Sequence, residues 1–247
     1  MTLRSPVTPR RTPTPTRAFV ISVVNAFITK LGTIGIGIAL ARLLGPEEFG
    51  TYAVAFVALV AVLSFNELGV SLAIVRWPGD PKDIAATVTT ISATCSVLLF
   101  GVSYAAAPYF TAAMGNEAAT DVVRVMAVCI VLNGLVATPA ALLQRNFRQG
   151  QRMVIDQVNV WLGAGASLIL VIAGMGAMSL AIGRVLASLV AGVLFLIYSP
   201  LPYRFGFSLK GARQLLAFGL PLAGASMVVF AVGYVDQLVA GKMLGPV

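Results

Sequence analysis

The sequence predicts an all-α, polytopic membrane protein, and three observations carry that expectation. First, 58% of the 247 residues are hydrophobic and only 11% are charged, whereas a soluble globular chain is about 45–50% apolar and about 25% charged. Too little polar surface is available to meet water on every side. Second, the apolar residues come in runs long enough to cross a bilayer, for which about 20 helical residues suffice. Third, these runs lack the period-two alternation of a membrane β-barrel.

Residues 1–17, MTLRSPVTPRRTPTPTR, are dominated by Pro, Thr and Arg and cannot supply a core, so a disordered basic cytoplasmic tail is expected there. The apolar run behind it is too long for a signal peptide. Seven apolar segments follow, at about Phe19–Leu44, Tyr52–Val75, Ile84–Phe110, Val122–Leu143, Val154–Ala173, Ala177–Tyr198 and Leu215–Leu244. Each is long enough to span at about 1.5 Å per residue. The expected organisation is a six-helix bundle over residues 18–214 and a seventh helix in 215–247 that opens a truncated second bundle.

Charge sets the orientation. Net charge is +8, without histidine. The cations lie in connections between apolar runs rather than on a soluble patch among aromatics, which argues against nucleic acid as a partner. One alternate set of loops holds Arg4, Arg10, Arg11, Arg17, Arg76, Lys82, Arg145, Arg148, Arg152, Arg204, Lys210 and Arg213; the other holds Arg42, Arg124 and Lys242. Cation-rich loops stay inside, so the amino terminus is expected in the cytoplasm of a bacterial inner membrane and the carboxyl end outside. Gly163-Ala164-Gly165-Ala166, Gly183, Ala187, Ala191 and Gly192 are small enough to let helices approach closely. Pro139 and Pro221 are candidate kinks. Arg42-Leu43-Leu44-Gly45-Pro46 recurs as Lys242-Met243-Leu244-Gly245-Pro246, a short repeat of the kind many transporters contain.

Enzyme chemistry finds no support. No nucleophile has a placed base. Gly35-x-Gly37 sits in an apolar helix without the context of a phosphate loop. Cys95 and Cys129 have no metal-ligand spacing, and no cofactor or metal is expected. Glu47-Glu48 reads as a solvated helix start after Pro46.

Intramembrane charge is costly and functional by default. Lys30 lies near the middle of the first segment, flanking a polar stripe of Ser22, Asn25, Thr29 and Thr33. Two readings of Lys30 stand: an ammonium that attracts a substrate diphosphate, or a structural partner of Glu67. The depths of Lys30 and Glu67 differ by about 4–5 Å at the helical rise, so Glu67 can keep Lys30 charged until a diphosphate competes. Arg184 and Asp236 lie at similar depth and are candidate partners, although Arg184 can also snorkel outward. Asp156 stands at the entrance of the fifth segment and reads as solvated.

Ala41-Arg-Leu-Leu-Gly-Pro-Glu-Glu-Phe-Gly-Thr-Tyr52 resembles the end of the first helix in bacterial polysaccharide exporters. These are the oligosaccharide flippases of the multidrug/oligosaccharidyl-lipid/polysaccharide (MATE-like) exporter superfamily. Glu67-Leu-Gly-Val70, Ala141-Leu-Leu-Gln-Arg-Asn-Phe-Arg148, Gly174-Met-Gly-Ala-Met-Ser-Leu180 with Gly183, and Asp236 before Leu244-Gly245 resemble the same family in the same order. The resemblance implies a transporter of two six-helix bundles that flips an undecaprenyl-diphosphate-linked oligosaccharide by alternating access during cell-surface polysaccharide biosynthesis. Expected partners are membrane lipids, that substrate, and a second half-transporter chain, because this sequence resembles the family's amino-terminal half. The alternatives are a drug or cation antiporter of the same superfamily and a non-functional fragment.

Overall fold

The computed structural model describes residues 15–66, 74–75, 77, 79–209, 211–215 and 217; within 15–66, side chains are described at Lys30 and over 34–64. The chain divides into two compact units, Met1–Ala39 and Leu40–Val247. Of the first, helical backbone over 15–39 is described. All that follows concerns the second unit unless stated otherwise.

Helix α1 runs Pro15–Asn66, α2 Lys82–Ala113, α3 Thr120–Arg145, α4 Gln149–Ile172 and α5 Ala177–Ile197; a 3₁₀ turn, Glu117–Ala119, precedes α3. Five stretches among the described residues are long and apolar enough to cross a membrane: Ile34–Ser64, Lys82–Ala113, Glu117–Arg145, Gln149–Ile172 and Ala177–Ile197. The predicted segments agree with these to within a few residues in α2 to α5. Most of the seventh segment, the second copy of the Leu-Gly-Pro repeat and Pro221 lie outside the described residues.

The expected boundary between the first two segments is a break inside α1. Gly45 has φ 76° and ψ 168°, and Pro46 follows it. That backbone conformation is essentially open only to glycine, and proline suits the first turn of the helix that resumes after it. Helices α2 and α4 end similarly. The Asn116 N–H donates to Thr111 O at 2.9 Å and the Met175 N–H to Leu170 O at 3.2 Å, with Gly115 and Gly174 in the left-handed region at φ 69° and 84°. These are Schellman endings. Helix α3 ends the same way on Phe147, at φ 53°, with the Arg148 N–H donating to Leu143 O at 2.9 Å.

Side-chain bonds sort the connections into two ends. At one end the Asn116 Nδ2 donates to Thr51 Oγ1 at 3.1 Å, and the Ala177 N–H donates to Glu48 Oε2 at 2.7 Å. This glycine-turn end therefore gathers residues 45–51, 114–119 and 173–176. At the other, Arg145 Nη1 donates to the carbonyls of Ile74 and Trp77, both at 2.7 Å, and Nη2 to that of Gly79 at 3.0 Å. Thr90 Oγ1 donates to Gly206 O at 2.9 Å there. Lys82, Arg145, Arg148, Arg152, Arg204 and Arg213 lie toward this second end, against Arg42 and Arg124 at the first. Among the described residues, the charge split read from the sequence is thus a physical separation along the bundle.

Small and hydroxylic residues hold the helices together. A Cβ on Gly183 would stand 2.9 Å from Ser167 N and 3.0 Å from Gly163 O, and one on Gly163 would stand 3.2 Å from the Ala187 Cβ. Such contacts between α4 and α5 are the small-residue packing expected where lipid removes the hydrophobic drive for helix association. Between α2 and α3, Thr89 Oγ1 donates to Thr138 Oγ1 at 2.9 Å, and Ser96 packs against Gly134. Every buried polar residue named so far in these seams is Ser or Thr, whose hydroxyls can be satisfied within the bundle. Some large aliphatics point outward: Leu98, Val102, Ile169 and Ile172 are all at least 64% exposed, while Ile130, Leu142, Leu143 and Ile155 are buried inside. Pro139 sits fully buried inside α3, which continues through it.

Candidate transport cavity

A cavity of about 390 Å³ lies between the arm of α1 after Gly45 and helices α3, α4 and α5. That volume falls within the range of about 300–1,000 Å³ typical of small-molecule sites. Apolar residues such as Leu63, Leu132, Val136 and Phe195 form part of its wall. Its polar lining is Asn133 and Gln144 from α3, Arg152, Asp156 and Asn159 from α4, and Ser188 from α5.

Helical spacing explains how these residues meet. Arg152, Asp156 and Asn159 are spaced i, i+4, i+7, which is one helix face. Asn133 and Gln144 are eleven residues apart, close to three whole turns, so both face the same way and lie about 16 Å apart along the axis. The cavity thus runs from the cation-rich end, at Gln144 and the first turn of α4, toward the middle of the bundle at Asn133 and Ser188.

Electrostatics are balanced inside it. Arg152 Nη1 donates to Gln144 Oε1 at 2.8 Å across the α3–α4 gap, and Arg152 Nε stands 3.9 Å from Asp156 Oδ2. The one cation and one carboxylate of the lining cancel, and the guanidinium is already engaged. What remains is a set of amides and a hydroxyl, groups that both donate and accept hydrogen bonds. Such a lining can exchange hydrogen bonds with a hydroxyl-rich ligand without requiring it to carry charge.

None of the sequence-predicted site residues is among the residues that line this cavity. Lys30 is an exposed residue of α1 in the first unit, and the cavity belongs to the second. Asn25, Thr29 and Thr33 are on helical backbone, with side chains outside the description. Glu67 and Asp236 lie outside the described residues, and with them the two proposed charge pairs. Arg184 is half-buried, one turn from Ser188 on α5, and its Nε is enclosed without a hydrogen-bond partner. Tyr52 and Cys129 lie within its electrostatic reach.

Two readings change in detail. Asp156 is exposed, as expected, but is also part of the cavity wall beside Arg152. Glu48 does more than start a helix: its carboxylate caps α5 from 129 positions away. Asn133, Gln144, Asn159 and Ser188 were not singled out from the sequence. The available signal was the polar face Arg152–Asp156–Asn159, which stood out less than a lone lysine in an apolar run. Among the described residues, no three His, Cys, Asp or Glu side chains gather in a way that could hold a metal.

Comparison with known proteins supplies the family. The succinoglycan biosynthesis transport protein ExoT of Rhizobium meliloti (strain 1021) is 27% identical over 225 residues, covering 88% of this chain and 45% of that protein. The crystal structure of a MATE protein in complex with MaD5 superposes with a TM-score of 0.66 at 19% identity, covering 86% of this chain and 54% of that one. At that identity the likeness is one of fold, that of a polytopic helical membrane protein. The chain spans about half the length of each of these proteins. Residues 39–247 match the family described as polysaccharide biosynthesis protein, a range that takes in the break at Gly45, all of α2 to α5 and every residue of the cavity, and the chain accordingly belongs to that family.

Proposed function

We propose that this protein takes part in moving an oligosaccharide, carried on an undecaprenyl diphosphate, across the bacterial plasma membrane by alternating access. The observation that carries this reading is the charge-balanced polar cavity inside an otherwise apolar bundle. Polar groups within a membrane are expensive and mark pathways, and these amides suit sugar hydroxyls. The family supports the reading, as does the name of the succinoglycan transport relative. On the positive-inside rule the cation-rich end is cytoplasmic, so the cavity faces the side on which such substrates are loaded.

Lys30 is assigned the diphosphate, as a point charge for phosphate oxygens, with Glu67 keeping it protonated between cycles. Arg184 and Asp236 are assigned to each other as an intramembrane pair.

Transport of a fluorescent lipid-diphosphate oligosaccharide by the intact protein in proteoliposomes tests the assignment. Asn133→Leu combined with Asn159→Leu removes amide contacts while keeping side-chain bulk. It is expected to slow transport about tenfold or more, the equivalent of about 1.4 kcal/mol, at unchanged protein level. Lys30→Ala is expected to abolish transport and Lys30→Arg to retain part of it. Unchanged transport in the double Asn variant would remove the cavity from the pathway.

A further inference from the structure

Beyond the cavity, one segment of the cation-rich end has an organisation that transport does not explain. Residues 201–208 run without helix from the end of α5 and are tied by their backbone to the first turns of α2. Thr90 Oγ1 donates to Gly206 O at 2.9 Å and accepts from the Gly206 N–H at 3.1 Å. The Ser208 N–H donates to Thr87 Oγ1 at 3.3 Å. Gly206 makes the close approach possible, since a Cβ there would stand 3.0 Å from that of Ala86. Ser208 in turn caps the helical stretch behind it, its Oγ accepting from the Gly211 N–H at 3.3 Å.

This attachment pins the segment and leaves its large side chains outside. Phe205, Phe207 and Leu209 are 62%, 64% and 80% exposed. The Phe205 ring meets Tyr203 edge-on at 5.3 Å, which stiffens it but does not cover it. In an extended chain residues 205 and 207 share one face. Arg204 and Arg213 are exposed beside them, and Lys82 stands exposed at the start of α2. Three uncovered apolar side chains beside three cations, held at the level where membrane-length helices end, form an amphipathic surface at interfacial depth.

We propose that residues 201–209 are a lipid-interface anchor: Phe205, Phe207 and Leu209 enter the headgroup–acyl boundary of the leaflet at the cation-rich end, while Arg204, Arg213 and Lys82 engage anionic lipid phosphates. Aromatic side chains favour that boundary, and each nearby cation adds attraction to an anionic leaflet. The segment joins α5 to the residues beyond 210, so the anchor fixes the depth of that junction in the bilayer.

Nitroxide labels placed one at a time at Arg204→Cys, Phe205→Cys, Phe207→Cys, Ser208→Cys and Leu209→Cys, in a Cys95→Ala, Cys129→Ala background, test the proposal in vesicles of phosphatidylcholine with phosphatidylglycerol. All five positions are exposed, and at 208 the substitution gives up only the Oγ bond to the Gly211 N–H while the backbone bond to Thr87 stays. Labels at 205, 207 and 209 are expected about 5–10 Å below the phosphates, more accessible to oxygen than to an aqueous nickel reagent, with 204 and 208 shallower. Replacing Arg204 and Arg213 by Gln is expected to make the Phe207 label shallower in these vesicles and to have little effect in pure phosphatidylcholine. Equal aqueous accessibility at all five positions overturns the proposal. So does protection of 205 and 207 from both reagents, which would place a protein partner there instead.

Discussion

The two ends of the bundle turn the chain in different ways. At the glycine-turn end lies every positive-φ glycine among the described residues: Gly45, Gly115, Gly174 and Gly176. Side chains then reach across sequence to close that end, Glu48 onto the first N–H of α5 and Asn116 onto Thr51. An apolar cluster of Ala55, Leu59, Ala107, Val122, Met126 and Ala181 lies beneath, beside an apolar cavity of about 210 Å³ that Leu59 and Ala107 also line. At the cation-rich end three residues, 146–148, join α3 to α4 with Phe147 in place of a glycine, residues 201–208 run without helix beside α2, and the polar cavity reaches in from that side. Cross-bundle clasps from Glu48 and Asn116 tie the glycine turns together at one end; at the other, Gln144 and Arg152 on either side of the 146–148 connection line a cavity. The difference teaches that this bundle, taken by itself, is built to be shut at one end and accessible at the other.

Four substitutions would break or sharpen that contrast. The largest effect is expected in the α4–α5 seam. Gly183→Val places a side chain against backbone atoms of Ser167 and Gly163 that cannot yield. A loss of about 1–3 kcal/mol or more is expected from overpacking, read as a lowered Tm or failed accumulation in detergent. Gly165→Val, where a Cβ meets nothing within 4 Å, should leave Tm nearly unchanged; equal sensitivity of the two would disprove the seam.

Arg145→Ala comes next. It removes three charged hydrogen bonds to the carbonyls of 74, 77 and 79, with a cost of about 1.5–3 kcal/mol. Cleavage by protease between 74 and 81 should rise, while the glycine-turn end stays protected. Lysine at this position cannot reproduce the forked geometry and should rescue only partly.

Glu48→Ala deletes the cap of α5 and is expected to cost about 0.5–2 kcal/mol, whereas Glu48→Gln keeps an acceptor and loses less. Hydrogen exchange at the start of α5 is the direct readout; no change there would show that the glycine-turn end does not depend on this clasp.

The smallest effect has the opposite sign. Phe147 holds a left-handed conformation that costs a side-chain-bearing residue about 1–2 kcal/mol, and its ring is 89% exposed. Phe147→Gly relieves that strain but gives the unfolded chain more freedom, leaving a net gain of less than about 1 kcal/mol. A small rise in Tm is expected in detergent.

Much of this arrangement was legible before the fold was known. Length and apolarity marked the helices, because a bilayer demands uninterrupted spans. Leu44-Gly45-Pro46 marked the break in α1, since only glycine takes that backbone and proline cannot continue a helix interior. Gly163, Gly183 and Ala187 announced a close helix pair. The candidate site was far less visible. Lys30 drew notice because one charge in an apolar run is conspicuous, whereas Asn133, Gln144, Asn159 and Ser188 are individually unremarkable uncharged side chains on three separate helices.

The sequence by itself thus determined the class of solvent, the number and limits of the central spans and the separation of charge between two ends. These follow from local composition and periodicity, which each segment carries alone. The tertiary structure decided which polar faces meet. It set Gln144 against Arg152 to orient the guanidinium in the cavity, laid the carboxylate of Glu48 on a helix start 129 residues away, and stretched residues 201–208 over the base of α2. Each of these depends on the rotation and neighbours of whole helices, set by packing of small residues summed over many turns, and no single segment encodes it.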